Sequence, residues 1–418
     1  MIDIQYIKNN VEKVKKAAIN KNRKADIDGI LKLDEKRKEL IKEAQNLREK
    51  RNEISKQNPP TKEIIEEGKK IKESLKNIEN NLTNVEIELK NLMLYVPNVP
   101  LDEVPVATDE TGNIEIKKWG ETPKFDFQIK DHIELATSLD LVDFERGNKV
   151  SGFRGYFLKN EGAVLHMALL FYVFQKLIKK GYTPVIAPSI IKGFTLFGSG
   201  HFPWGSEQDV YKLNEDDMFL SGTAEIPITA MYSGEILNEK DLPKKFVGFS
   251  PCFRKEAGTY GKDTKGLYRL HEFWKIEQVI LGENNLDKAR SIHEELQKNS
   301  EEILQDLNLP YRQLLMCTGD MGEPQLKKYD IETYMPSRNG YGETMSNSIM
   351  GDFQARRLNI KYKTKEGKTD FVYTFNNTAV ASPRILIAII ENYQQEDGSI
   401  KIPDVLQSLT GFKEIKRN

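Results

Sequence analysis

Arg254 and Glu256 lie two residues apart in Pro251-Cys252-Phe253-Arg254-Lys255-Glu256-Ala257-Gly258, and Phe273, Lys275 and Glu277 repeat that spacing further along. Side chains alternate faces on a strand, so each set is expected to share a face. The first set pairs a guanidinium with a carboxylate, and the second joins an aromatic surface to a cation and an anion. A guanidinium fork suits phosphate or carboxylate, and an Arg beside a Glu can bind something carrying both an anion and a donor, as a nucleotide does. Two other runs invite the same question: Thr223-Ala224-Glu225 behind Ser221-Gly222, and Glu343-Thr344-Met345-Ser346 leading into Asp352–Arg357. In a fourth, Asn376 to Arg384, a strand end runs into a helix. There Ser382 is the expected N-cap, Pro383 the first helical residue, and Arg384 falls in the first turn. A cation at that terminus opposes the helix dipole, and makes sense where an anion docks. Taken singly, each cluster is more simply a cross-strand ion pair or an ordinary helix start.

The elements that must carry these residues differ between the two ends of the chain. Residues 1–96 are rich in Lys, Glu and Asn, and their apolar positions alternate spacings of three and four. Ile30, Leu33, Arg37, Leu40, Ala44, Leu47, Arg51 and Ile54 form one stretch; Ile64, Gly68, Ile71, Leu75, Ile78, Leu82, Val85, Leu89, Leu92 and Val96 form the other. That heptad seam, interrupted at Pro59-Pro60, predicts an antiparallel coiled-coil hairpin over about 27–96, each helix roughly 45 Å long. Residues 97–125 carry Pro97, Pro100, Pro105 and Thr111-Gly112, and read as a linker. Beyond it strand-like runs (Thr183–Ile190, Phe246–Arg254, Thr369–Phe375) alternate with helical ones (Val164–Lys180, Asn285–Asn308, Arg384–Tyr393). Neither a Rossmann fingerprint nor a P-loop is present. The expected class is α+β: a helical arm over 1–100, a linker over 101–125, and over 126–418 a mainly antiparallel sheet flanked by helices.

Composition narrows the classes. The 62 Lys+Arg balance 63 Asp+Glu, which excludes a bulk-basic nucleic-acid binder while leaving room for a local basic patch. Two Cys and five scattered His offer neither a disulfide framework nor zinc-ligand spacing, so no zinc is expected. The N-terminus has no apolar signal region, and the longest unbroken apolar run, Met167 to Phe174, is too short for a bilayer. The expectation is a soluble cytoplasmic protein without a membrane partner.

In this order, behind a heptad hairpin, the clusters resemble the three signature motifs of class II aminoacyl-tRNA synthetases, specifically the seryl-tRNA synthetase family of bacterial type. Gly181-Tyr182-Thr183-Pro184 to Pro188 is similar to motif 1, Pro251 through Phe273 to motif 2, and Phe375 to Gln394 to motif 3. The resemblance implies that serine and ATP form seryl-adenylate, and that the acyl group then moves to tRNA(Ser), or to tRNA(Sec) where present. It also implies ATP and Mg²⁺ as cofactors and a homodimer built through motif 1. Residue by residue, it puts Arg254 on the α-phosphate and near the serine carboxylate, Glu256 on the base, Phe273 against adenine and Arg384 on the γ-phosphate. Glu343 and Ser346 help to place Mg²⁺, with Lys255, Thr344 and Met345 alongside the nucleotide. Thr223, Ala224 and Glu225 hold the amino group, and Glu277 and Thr378 complete the serine site. The hairpin reaches the tRNA, with Lys36, Arg37, Lys38, Arg48, Lys50 and Arg51 as candidate contacts.

Two departures stand out. Where the family's motif 3 commonly reads Asn-Gly-Ser-Gly-Leu-Ala-Val-Gly-Arg, this chain has Asn376-Asn377-Thr378-Ala379-Val380-Ala381-Ser382-Pro383-Arg384; Asn377, Ala379 and Pro383 replace glycines, and Thr378 a serine. Met345 stands where a small hydroxyl residue is usual. The alternatives are a synthetase-like paralogue loading a non-tRNA acceptor such as a carrier protein, and an inactive scaffold.

Overall fold

A computed structural model of the chain describes all residues except 57–60, 206–208, 215–216, 257–264 and 418. The expected turn at Pro59-Pro60 therefore lies outside the described residues. The chain divides into two compact units, Met1–Val99 and Pro100–Asn418.

In the first unit, helices α1 (Ile4–Asn9) and α2 (Val11–Asn20) precede α3 (Ile27–Ile54) and α4 (Lys62–Leu94). Capping fixes where the long helices begin: Asp26 accepts from the Gly29 N–H and Thr61 from the Ile64 N–H. The heptad seam is the packed one, since Ala44, Ile71 and Leu75 are buried with Leu47, Ile54 and Ile78 against them. At the other end Ile7, Val14, Ile27, Ile30, Leu89, Met93 and Val96 form a separate small core with α1 and α2.

The second unit is built on an eight-stranded sheet. Its strands in chain order are β1 (Ile114–Trp119), β2 (Thr183–Ile186), β3 (Lys244–Phe253), β4 (Glu272–Gly282), β5 (Tyr311–Leu315), β6 (Lys327–Met335), β7 (Gly340–Gly351) and β8 (Tyr373–Ala381). They lie in the order β1-β5-β6-β7-β8-β4-β3-β2, antiparallel except for the parallel pair β2–β3. Three helices, α5 (Asn160–Lys179), α6 (Leu286–Asp306) and α7 (Ser382–Asn392), bury apolar stripes into one continuous core with the sheet. By length and composition α5 could cross a membrane. Here Leu165, Leu169, Leu170, Val173 and Leu177 place it in that core.

Two expectations are corrected. Residues 101–125 are not simply a linker: Ile114–Trp119 forms the edge strand β1 on β5. This strand is almost wholly exposed, so its side chains show little apolar patterning beside the surrounding turn signals; Trp119 stacks on Tyr311. The strand expected over Thr183–Ile190 ends at Ile186, and Ile190–Lys192 pairs with Met218–Leu220 in a separate small sheet.

Candidate active site

The central strands β4 and β8 place the site. On β4, Phe273, Lys275 and Glu277 alternate onto one face as expected, with Thr378 of β8 opposite Glu277. On β7 a bulge at Thr344 skips one position against β6, between the pairs Glu332–Glu343 and Ile331–Met345. The extra residue reverses the alternation, so Glu343 and Ser346, three apart, both reach the same cavity. That cavity measures about 320 Å³. Of the predicted residues it brings together Thr223, Glu225, Arg254, Glu256, Phe273, Glu277, Glu343, Thr344, Met345, Ser346, Thr378 and Arg384.

Ala224 and Lys255 do not line it. Ala224 is fully buried, its Cβ packed close over Gly248, 3.0 Å from where a Cβ on that glycine would lie. The Lys255 ammonium lies 5.7 Å from the centre of the Tyr211 ring. Arg254 and Glu256 share the cavity for a different reason from the one expected. Strand β3 stops at Phe253, and Glu256 has a left-handed φ of +52°, its carboxylate held by Arg269 at 2.9 Å. Ser382 does not cap α7 either: the residue before the helix is Ala381, and the buried Ser382 hydroxyl meets His166 Nδ1 at 2.5 Å. Burial diverts that hydroxyl from the helix N–H groups to the imidazole.

One end of the cavity is cationic and partly open. Arg254 lies over the Phe273 ring, 5.2 Å from its centre, and its Nε donates to the Gly222 carbonyl. Arg384 Nε donates to the Tyr268 carbonyl, and its Nη1 donates to the Glu343 carbonyl at 2.8 Å and lies 3.3 Å from the Glu343 carboxylate. Burial pushes the Glu343 carboxyl up, but Arg384, Lys328 and Arg254 outweigh it and hold the group below the usual range. Lys328 and Asp330 of β6 pair at 2.8 Å, and burial raises the Asp330 carboxyl despite that ammonium.

The other end is closed and acidic. Lys275 pairs with Glu277, and both are almost fully buried. The Lys275 ammonium also lies 3.1 Å from Thr223 Oγ1 and 3.4 Å from Thr378 Oγ1. The buried Glu225 carboxylate accepts from Gln354 at 2.7 Å and from Asn376 at 2.6 Å. Burial, and the neighbouring Glu277 charge, push it up to about 7. Asn376 Oδ1 has no hydrogen-bond partner among the described residues.

Sequence reasoning passed over Asn376, Lys328, Tyr268 and Arg269 as lining residues, and saw Lys275 only as a generic cation. Asn376 shares alternation with Thr378, a signal that could have found it. Lys327-Lys328 reads as surface charge, and only the β6–β7 pairing brings Lys328 beside Glu343. Among the described residues no cluster of three or more His, Cys, Asp or Glu could hold a metal by itself.

On the arm, the fully buried Asp34 takes up Lys8, Arg37 and Lys38, and Arg48 pairs with Glu79 at 2.8 Å. Lys36, Lys50 and Arg51 are exposed.

Residues 1–100 match the seryl-tRNA synthetase N-terminal domain, and residues 209–393 the tRNA synthetase class II core domain (G, H, P, S and T). The chain is 44% identical to a serine–tRNA ligase of Treponema denticola, over 99% of this chain and all of that one. It belongs to the seryl-tRNA synthetase family. The serine–tRNA ligase of Symbiobacterium thermophilum is also 44% identical, over the full length of both chains. Among solved structures, seryl-tRNA synthetase from Pyrococcus horikoshii complexed with ATP superposes with a TM-score of 0.94, at 38% identity and full coverage of both chains. The cytoplasmic enzyme of Naegleria fowleri in complex with AMP gives 0.88 at 30% identity, covering 100% of this chain and 99% of that one. The expected α+β class, with a helical arm and a class II catalytic domain, is thus the fold this family has.

Proposed function

We propose that this chain is a cytoplasmic, homodimeric, ATP-dependent ligase that joins L-serine to tRNA(Ser), and to tRNA(Sec) where one is present. The observation that carries this reading is a single cavity with a closed acidic end and an open cationic end, joined along Phe273, Lys275 and Glu277. A small zwitterion with a hydroxyl suits the first end and a nucleoside triphosphate the second. The ATP and AMP complexes of the two structural neighbours support the nucleotide assignment.

In the first step a serine carboxylate oxygen attacks the α-phosphorus of ATP; the new P–O bond forms as the bond to pyrophosphate breaks. The nucleophile is already an anion and needs no base. The barrier is repulsion between two anions, which Arg254 relieves between carboxylate and α-phosphate while Arg384 holds the γ-phosphate. Glu256 takes the base and Phe273 the flat face of adenine, with Thr344 and Met345 beside the nucleotide. Glu225 receives the α-ammonium and Glu277 the serine hydroxyl; Thr223 and Thr378 border them. In the second step a terminal-ribose hydroxyl of the tRNA attacks the carbonyl carbon and AMP leaves.

Glu343 and Ser346 offer hard oxygen donors, and the Glu343 side chain is 47% exposed to the open end of the cavity. One carboxylate and a hydroxyl fit Mg²⁺, which keeps few protein ligands and completes its sphere with phosphate oxygens and water. There the ion would neutralise phosphate charge.

Val164, Met167, Phe171 and Ile178 expose 42, 56, 49 and 38% of their surface along one face of α5. An uncovered apolar stripe of this kind supports the homodimer. Of the six predicted cations on the arm, Lys36, Lys50 and Arg51 are exposed, whereas Arg37 and Lys38 are engaged by Asp34 and Arg48 by Glu79.

Amino-acid-dependent ATP–pyrophosphate exchange without tRNA, over serine, threonine, alanine, cysteine and glycine, tests the reading. Serine-selective exchange supports it, and exchange with another amino acid alone removes it. Excising residues 45–78 from the hairpin should leave exchange intact and abolish tRNA charging.

A further inference from the structure

Lys275 carries no role in the mechanism above, yet its ammonium touches three of the groups assigned to the amino acid. It ion-pairs with Glu277, lies 3.1 Å from Thr223 Oγ1 and 3.4 Å from Thr378 Oγ1, and is only 5% exposed. Resting on the serine reading, we infer that Lys275 is a positioning residue that fixes the hydrogen-bond polarity of the pocket and thereby selects a side-chain hydroxyl.

An ammonium has three protons and no acceptor capacity, and Lys275 has three oxygen partners for them. A hydroxyl oxygen has two lone pairs and one proton. Thr223 Oγ1 accepts from Lys275 and from the Glu225 N–H at 3.3 Å, so both lone pairs are engaged and its own O–H must donate. Thr378 accepts from Lys275 and donates to Glu277 Oε2 at 3.4 Å. That oxygen is therefore shared between Lys275 and Thr378, whereas among the described residues Oε1 meets only a long contact, 3.4 Å from Asn376 Nδ2.

Among these groups, what remains for a substrate hydroxyl is one donor, the Thr223 O–H, and the under-used acceptor Glu277 Oε1, with the unpartnered Asn376 Oδ1 as a further acceptor in the same cavity. A serine hydroxyl accepts from the first and donates to the second. Alanine leaves both unpaired, and a thiol is weak in both roles. Without the Lys275 charge, Glu277 would be a buried, uncompensated anion and Thr223 would be free to turn and accept, so a pocket without a hydroxyl would cost less.

The test uses the full-length protein and pyrophosphate exchange with serine, alanine and cysteine. Lys275→Met, close in volume and uncharged, should raise the serine KM about 100-fold, the effect of breaking a buried charge pair, and lower the serine-to-alanine ratio of kcat/KM. The ATP KM should stay within about twofold. Thr223→Val should lower serine kcat/KM and the same ratio by about tenfold, and Thr223→Ser should restore both. This second pair leaves the buried charges alone and decides the matter if Lys275→Met no longer binds ATP. An unchanged serine-to-alanine ratio in Thr223→Val, or in a folded Lys275→Met, overturns the inference while the serine reading stands. A wild-type protein without serine-dependent exchange removes that reading itself.

Discussion

At the acidic end of the cavity Glu277 is 1% exposed and its counter-charge Lys275 5%, whereas at the cationic end the Glu343 side chain is 47% exposed and that of Arg384 21%. The acidic end holds its carboxylates from within, Gln354 and Asn376 on Glu225 and Lys275 and Thr378 on Glu277, and leaves Glu277 Oε1 under-used for a ligand. The cationic end leaves charge facing solvent for a polyanion to neutralise. A small ligand distinguished from its neighbours by one hydroxyl calls for the first construction, because discrimination comes from buried groups that only the right substrate pairs. A triphosphate brings several charges and tolerates the second. Substitutions at the two ends should therefore fail differently.

The largest effect is expected at the open end. Arg254→Ala should lower adenylate formation about 10³-fold, the scale of losing a charge-stabilising donor in a transition state. Because Arg254 is exposed and, among the described residues, is held by one long bond from its Nε to the Gly222 carbonyl at 3.3 Å and by the Phe273 ring, stability should change by less than about 0.5 kcal/mol. Pyrophosphate exchange beside a urea titration separates the two quantities; an Arg254→Ala protein with normal exchange would remove this residue from the site.

At the closed end activity and stability should fall together. Glu277→Ala strands the Lys275 ammonium in the core, so about 3 kcal/mol of stability and about 100-fold in serine kcat/KM are expected to disappear. If the serine effect appears without any shift in the denaturation midpoint, the closed end is not the self-paired structure described here.

Glu225 makes the comparison pH-dependent. Its carboxyl is pushed up to about 7 from an ordinary 4.5, so between those values the folded chain holds a proton that the unfolded chain has lost. The stability from this group is fullest below pH 4.5 and declines as pH rises towards 7. Binding has the opposite sign, since an ammonium favours the ionised carboxylate. Serine kcat/KM should fall with decreasing pH below 7, approaching about tenfold per pH unit, and Glu225→Gln should flatten that limb. A limb that persists in Glu225→Gln belongs to another group.

How much of this was legible in the sequence follows from the range of the interactions. The hairpin was readable almost residue by residue, because its seam is a local period repeated along two helices: Ala44, Ile71 and Leu75 are buried where the heptad puts them. The alternation Phe273–Lys275–Glu277 was equally local and holds on β4. Other features depend on contacts no local pattern encodes. The Thr344 bulge exists only as a register shift against β6, and Glu256 reaches the cavity through a positive φ stabilised by Arg269. Ser382 has the composition of an N-cap, but a histidine far away in sequence takes its hydroxyl. Arg37 and Lys38 meet Asp34 at the local spacings i,i+3 and i,i+4, but the burial of Asp34 and its bond to Lys8 are tertiary facts.

Asn377 puts the separation of the two faces of β8 to its most sensitive test. It stands where motif 3 commonly has glycine, between two cavity residues, which made it a suspect for altered specificity. Alternation turns it away from the cavity: it is 1% exposed beneath α6, and its Nδ2 donates to the Leu296 carbonyl at 2.6 Å and to Ser300 Oγ at 2.8 Å. The extra side chain ties sheet to helix. Asn377→Gly removes two buried hydrogen bonds and gives the strand a more flexible residue, so a loss of about 2 kcal/mol is expected. Serine-to-alanine selectivity should stay within about twofold, because Asn376 and Thr378 keep their direction on the strand. The link that could break this expectation is the Ser300 hydroxyl, which also donates to the Thr378 carbonyl at 3.3 Å. A selectivity change in Asn377→Gly that Ser300→Ala reproduces would mean that the helix behind the sheet tunes the amino-acid pocket through that carbonyl; wild-type selectivity in both variants would leave Asn377 as packing alone.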